Sequence, residues 1–164
     1  MGQVKHIERC PQNMKLLAWV HWFDVNGPVP IVLVAGPRND AMQLVDYAKG
    51  RRQLPDGSWV IIEDSAVVTE AQTAKTSAHG HDSAIDFQPV KSLFPSGGVE
   101  SIYLGDPKRE SPEDYAEARK RFRLVIDTIG DFGLESGEHF PRPDMPHVQD
   151  PDWKTNPLGE GVAA

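Results

Sequence analysis

At 164 residues the chain is sized for one domain that buries roughly two thirds of its unfolded surface without staples. A hydrophobic fraction of 39% and a charged fraction of 25% are those of an ordinary globular protein, while 14 Pro and 14 Gly call for many turns and long connections. The 17 Lys and Arg stand against 24 Asp and Glu, and the resulting formal charge of −7 argues against nucleic acid or anionic lipid as a partner.

The chain opens with MGQVKHIERCPQNMK, which lacks an apolar core of signal-peptide length, and nothing later approaches the roughly 20 apolar residues of a membrane span. Cytosolic synthesis without stable membrane insertion is expected. Cys10 is the sole cysteine, so neither an internal disulfide nor a thiolate metal cluster is available, and any metal must be held by His and carboxylate. Cys10 itself reads as an inert thiol.

Met14, Leu17, Ala18, His21 and Trp22 recur at helical spacing and predict a first helix from about Pro11 to Asp24, ended by Asn26-Gly27-Pro28. Val29 to Val34 reads as a short buried strand. Asn39 or Asp40 can cap a second helix with Ala41, Leu44, Val45 and Ala48 on its apolar side and Gly50 at its end. Leu54-Pro55-Asp56-Gly57 is a turn, Ser58 to Ile62 a strand, and the stretch to Thr76 a long loop.

Ala84 to Gln88 predicts a strand whose period of two sends Ile85 and Phe87 to one face and Ala84, Asp86 and Gln88 to the other. Asp86 would then face a site rather than the core. After the Pro95-Ser96-Gly97-Gly98 turn, Glu100 to Leu104 is another strand. Ser111-Pro112-Glu113-Asp114 is a strong helix start, with Ser111 as cap, Pro112 in the first position and acids in the first turn. Tyr115, Ala118, Phe122, Val125 and Ile129 form its buried stripe, and Gly130 and Gly133 end it. The segment to His147, with Pro141, Pro143 and Pro146, reads as irregular and stiff. The domain is placed at residues 1–150, and the tail 151–164 has little to bury beyond Trp153 and Leu158.

The chemistry concentrates in Ser77-Ala78-His79-Gly80-His81-Asp82-Ser83-Ala84-Ile85-Asp86 and in Asp144-Met145-Pro146-His147. His79, Asp86 and His147 are a candidate three-ligand metal site that leaves a fourth position for water, with Asp144 placed to take the water's proton. With six histidines, such a grouping also arises by chance among polar residues near turns. His81 is an alternative ligand or a solvated histidine, and His139 a pocket-rim residue or an exposed one. Glu135 and Glu138 read as solvated helix-end carboxylates. Arg51 and Arg52 can bind anionic groups or complement the C-terminal dipole of the preceding helix.

The first string resembles the SxHxxGxAxD pattern of the zinc peptidases that cut bacterial cell-wall peptides, the D-alanyl-D-alanine carboxypeptidase and L-alanyl-D-glutamate endopeptidase family. Ser77, His79, Ala84 and Asp86 fall in register. Asp144-Met145-Pro146-His147-Val148-Gln149 resembles the DxPHF segment of the phage endopeptidase branch. Gly36-Pro37-Arg38 is similar to GxR, Tyr47-Ala48-Lys49-Gly50-Arg51 to YAQGR, and Gly133-Leu134-Glu135-Ser136-Gly137 to GLEWGG. The likeness spans about Val29 to Gln149. It departs at Asp82, where the pattern has glycine, at Ser83, and at Ser136, where it has tryptophan.

The resemblance implies a hedgehog or D-Ala-D-Ala peptidase-like fold: α+β, with a small, mainly antiparallel sheet, helices on one face and zinc on the other. It implies zinc as cofactor on His79, Asp86 and His147, and Asp144 as general base. Arg38 would contact a substrate carboxylate or peptide oxygen, and Ser77 and His139 would line the substrate. The implied activity is that of a monomeric phage endolysin, a metallopeptidase hydrolysing the L-alanyl-D-glutamate bond of the peptidoglycan stem peptide. Such an enzyme accumulates in the host cytoplasm and acts in the periplasm or wall after release. The alternatives are a D-alanyl-D-alanine carboxypeptidase and a non-catalytic wall-binding or virion module on the same fold.

Overall fold

A computed structural model of the chain describes residues 2–163. In chain order its elements are β1 (Val4–Lys5), α1 (Met14–Asn26), β2 (Ile31–Ala35), α2 (Asp40–Ala48), β3 (Arg51–Gln53), β4 (Trp59–Ile61), β5 (Ala84–Leu93), β6 (Val99–Ile102), α3 (Pro112–Ile126), β7 (Glu135–Gly137) and β8 (Asp144–Gln149). The fold is α+β. Its six-stranded main sheet runs β1-β2-β5-β8-β7, with β6 paired to the distal half of β5, and β3 and β4 form a separate two-stranded sheet.

The main sheet is mixed, which corrects the expectation of a mainly antiparallel one. The reason is local. β1, absent from the sequence reading, pairs parallel with β2, and α1 supplies the crossover that returns the chain in the same direction. β7 and β8 also replace the irregular segment expected before His147. The strand expected at Val29–Val34 is shifted to Ile31–Ala35.

One face of the sheet carries the core. Ile31 and Leu33 of β2, Ile85 and Phe87 of β5 and Val148 of β8 meet α1 and α3 in a single apolar cluster. Trp19, Phe87 and Phe122 pack tilted or edge to face, with ring centroids of Phe87 6.3 Å from Trp19 and 5.5 Å from Phe122. α3 begins as predicted, Ser111 Oγ accepting from the Asp114 amide. α1 starts at Met14 because the Asn13 side chain caps it, accepting from the Lys15 and Leu16 amides. Its buried face is Leu16, Trp19, Val20 and Phe23, offset from the expected stripe, and Met14 is 85% exposed. Both faces of this helix are apolar, so helical period alone could not choose between them.

α2 is the exception to helices on the core face. Leu44 and Val45 are exposed and Gln43 is fully buried, because α2 packs against the polar 62–76 loop rather than the apolar sheet face. Gln43 Nε2 donates to Ala71 O at 2.8 Å. The residue at the junction with the tail is engaged as well. Asp150 accepts from Lys15 Nζ at 2.7 Å and from the Asn13 side chain at 3.0 Å. Burial alone would push its carboxyl up, but hydrogen bonds from Lys15, Asn13 and Asn156 outweigh that and hold it at about 2. Among the described residues no helix is long and apolar enough to cross a membrane.

Candidate metal centre

The opposite face of β5 builds the site. The alternation of the strand puts Ile85 and Phe87 into the core and leaves Asp86 and Gln88 lining a cavity of about 780 Å³. β8 lies antiparallel to β5 with His147 directly opposite Asp86, and His79 arrives from a short 3-10 turn, Ala78–His81, that precedes β5.

Asp144 and His147 are three residues apart, so a regular strand would send them to opposite faces. An irregularity in the β7–β8 register, where Ser136 pairs with Val148 but Gly137 with Asp144, resets the phase. Pro146 and His147 consequently both line the cavity with Asp144, while Met145 and Val148 pack on the core. Gly137 permits this bulge: a Cβ there would lie 2.5 Å from Asp144 O and 3.0 Å from His147 Cβ.

Three acceptor atoms converge. His147 Nδ1 lies 3.0 Å from Asp86 Oδ1, His79 Nε2 lies 3.2 Å from the same oxygen, and the two ring nitrogens are 3.3 Å apart. Tetrahedral ligands with bonds of about 2.0–2.1 Å are separated by roughly 3.3 Å, so the triangle matches one face of such a site. This buried His79, Asp86 and His147 group could hold a metal ion.

Hydrogen bonding behind the ligands fixes which atoms point inward. His79 Nδ1 is 2.8 Å from the Gly36 carbonyl, which can only accept, so Nδ1 carries the proton and Nε2 offers its lone pair. On the other side, Gln149 Nε2 donates to the Glu135 carboxylate, which turns Gln149 Oε1 toward His147 Nε2 at 2.8 Å. His147 therefore donates from Nε2 and presents a lone pair at Nδ1. Two imidazole lone pairs and a carboxylate oxygen aimed at one point repel each other unless a cation sits among them. Without a metal, protons on the rings stand in for that cation, and the same nitrogens then donate to Asp86. Burial disfavours the charge on His147, yet its hydrogen bond to Asp86 and the attraction of that carboxylate raise its pKa above the ordinary value. For Asp86, burial is outweighed by attraction to His79 and hydrogen bonds from both rings, and its carboxyl stays well below the usual range.

Arg38 engages the rest of Asp86. Its Nη2 donates to Asp86 Oδ2 at 2.9 Å, and its Nη1 lies 3.3 Å from Asp46 Oδ2. The guanidinium is thus shared between two carboxylates, which ties down Oδ2 and leaves Oδ1 for the metal position. The Asp144 carboxyl is raised above its ordinary value by burial and then by the negative charge of Asp86. Ser77 is buried on the cavity wall, and the Phe140 ring packs against His147 at a tilt of 54° with centroids 5.4 Å apart. At the rim, Arg142 bridges Glu70 at 2.7 Å and Asp64 at 2.6 Å.

Other candidates fall elsewhere. His139 is 85% exposed against Glu138, and its neighbour Phe140 lines the cavity instead. His81 has both ring nitrogens on carbonyls, Asn156 O at 2.8 Å and Lys75 O at 3.0 Å, so it does not join the ligands. Asp82 also stays outside them. It adopts the left-handed conformation with φ 50°, which aspartate tolerates better than most residues, and this explains how it occupies a position where the resembled pattern has glycine. Arg51 is a buried structural residue that donates to the Tyr47 carbonyl at the end of α2 and to Glu70. Glu135 is not a solvated helix-end group but the partner of Gln149. Burial pushes the Cys10 thiol up to about 12, so it is unreactive at neutral pH.

Gln149, Glu135, Asp46 and the Gly36 carbonyl were missed as site residues. Only Gln149 left a signal, lying one strand period beyond His147. No protein-family model matches the sequence, and no curated protein matches it.

Proposed function

We propose that this chain is a zinc-dependent peptidoglycan peptidase that hydrolyses the L-alanyl-D-glutamate bond of the cell-wall stem peptide. The observation that carries the reading is the convergence of His79 Nε2, His147 Nδ1 and Asp86 Oδ1 at 3.0–3.3 Å on the wall of an open cavity. Two nitrogens and one oxygen are a typical donor set for catalytic zinc. When bound, zinc supplies the Lewis acidity that makes water a nucleophile near neutral pH.

The chain's own residues supply the rest. Asp144, which lines the same cavity as His147, takes the proton of the attacking water. It then returns that proton to the amine that leaves when the C–N bond breaks. Arg38 acts by holding Asp86 in a one-oxygen binding mode, and Ser77 and Phe140 shape the cavity beside it. The order Asp144, Pro146, His147, similar to the DxPHF segment, supports the endopeptidase branch. The substrate is then a stem peptide, met as a monomer in the wall after release from the cytoplasm.

The test is digestion of purified peptidoglycan followed by mass spectrometry of the fragments. Chelator-sensitive release of peptides cut after L-alanine is expected, and Asp144→Ala should abolish release while leaving zinc bound. Loss of terminal D-alanine alone would instead assign the carboxypeptidase activity. No release with zinc bound would identify a non-catalytic wall-binding module.

A further inference from the structure

The turn that carries His79 is too short to fix its own shape. Residues 77–83 close on themselves through Gly80 N to Ser77 O at 3.0 Å, Asp82 N to His79 O at 3.3 Å and Ser83 N to Ala78 O at 2.9 Å. A 3-10 turn of this length has poor hydrogen-bond geometry and little cooperativity. Its rigidity must come from outside.

Part of that support comes from the connection after β2, where Arg38 N donates to His79 O at 3.2 Å, and part from the C-terminal segment. Gly159 N donates to Gly80 O at 2.7 Å, and Asp150 N donates to Ser83 O at 2.9 Å. Asn156 lies at the centre, its carbonyl 2.8 Å from His81 Nδ1 and its side-chain amide donating to Ser83 Oγ at 2.8 Å and Asp150 Oδ2 at 3.1 Å. The Trp153 ring stands edge-on to the His81 ring at 5.2 Å. Gly80, next to the ligand, is therefore gripped through its carbonyl, and His81, two residues beyond the ligand, through its ring.

The segment is itself anchored at both ends. Asp150 is held by Lys15 and Asn13 at the start of α1. At the far end Ala163 N donates to Asp40 Oδ2, and Asp40 Oδ1 accepts from Ala74 N at 3.0 Å, in the loop entering the His79 turn. Asp150 also follows directly on the strand that carries His147 and Gln149.

We infer that residues 150–163 are a strap that positions the metal centre, with Asn156 as its central positioning residue. Asn156 touches no metal ligand, yet it sets the turn from which His79 projects. The inference rests on the metal centre and not on the identity of the substrate. It explains the two ring-to-carbonyl contacts of His81 and the placement of Asp82 without making either a ligand.

The test compares the full-length chain with Asn156→Ala and with a deletion of residues 159–164. Zinc affinity is read by competition with a chromogenic chelator, and site geometry by the visible absorption of the cobalt(II)-loaded protein. Asn156→Ala should weaken zinc binding by roughly 3- to 10-fold, at or below the low end of the range for direct hydrogen-bond partners of metal ligands, and shift the cobalt spectrum. The deletion should weaken binding at least as much. Circular dichroism of the metal-free variants should match the parent chain. Affinities and spectra equal to the parent in both variants overturn the strap, as does an affinity loss in both that only tracks loss of the metal-free fold. A parent chain that binds no zinc would overturn the metal centre beneath it. Failure to cut peptidoglycan would leave the metal titration, and hence the strap, standing.

Discussion

The two faces of β5 are held in opposite ways. On one, Ile85 and Phe87 are fully buried among Trp19, Phe122 and Val148, and non-directional packing fixes them. On the other, Asp86 meets His79 and His147, and each atom is fixed by a named hydrogen bond to Gly36, Gln149 or Arg38. The apolar face is complete as it stands. The polar face gathers three acceptors and leaves a demand for positive charge, so the strand couples a stable scaffold to a site that stores electrostatic stress. Stability and metal affinity should therefore separate by face.

The largest effect expected on the polar face is from His147→Ala, which removes a ligand and should eliminate stoichiometric zinc binding in a chelator competition while the chain stays folded. On the apolar face, Phe87→Ala should cost roughly 3–5 kcal/mol of stability, the usual cost of truncating a buried aromatic. Urea denaturation measures it, and the zinc affinity of the folded fraction should hardly move. Equal losses of affinity and stability in both variants would erase the distinction between the faces.

Gln149→Leu sharpens the comparison further, because it spares every ligand and removes only what orients His147. Zinc affinity should fall about 10- to 100-fold, and the Glu135 carboxylate loses its partner. The smallest effect is a pH dependence. In the metal-free chain the raised pKa of His147 contributes stability that is fully present below its unfolded value of 6.5 and fades as pH rises through the higher folded value. Thermal melts of the metal-free chain should show this loss. With saturating zinc the trend should reverse, since the metal competes with that proton and binds better as pH rises.

Much of this was legible where one physical rule dominates. Ser111-Pro112 announced α3, the period of two separated Asp86 from Ile85 and Phe87, and residue type singled out His79, Asp86 and His147. The rest depended on contacts that local patterns do not encode. The Pro146–His147 bulge exists because Gly137 lets β7 approach β8, and only that bulge puts Asp144 beside His147. α1 has two apolar faces, and the sheet selects one. α2 buries Gln43 because its neighbour is a polar loop whose carbonyl needs a donor. The roles of Glu135 and Asp46 likewise come from tertiary partners, Gln149 and Arg38.

The most direct test of the central claim is a calorimetric zinc titration of the metal-free chain near neutral pH. One zinc per chain is expected, with no binding in His147→Ala. Absence of binding by the parent chain, or binding that survives loss of His147 unchanged, would contradict it.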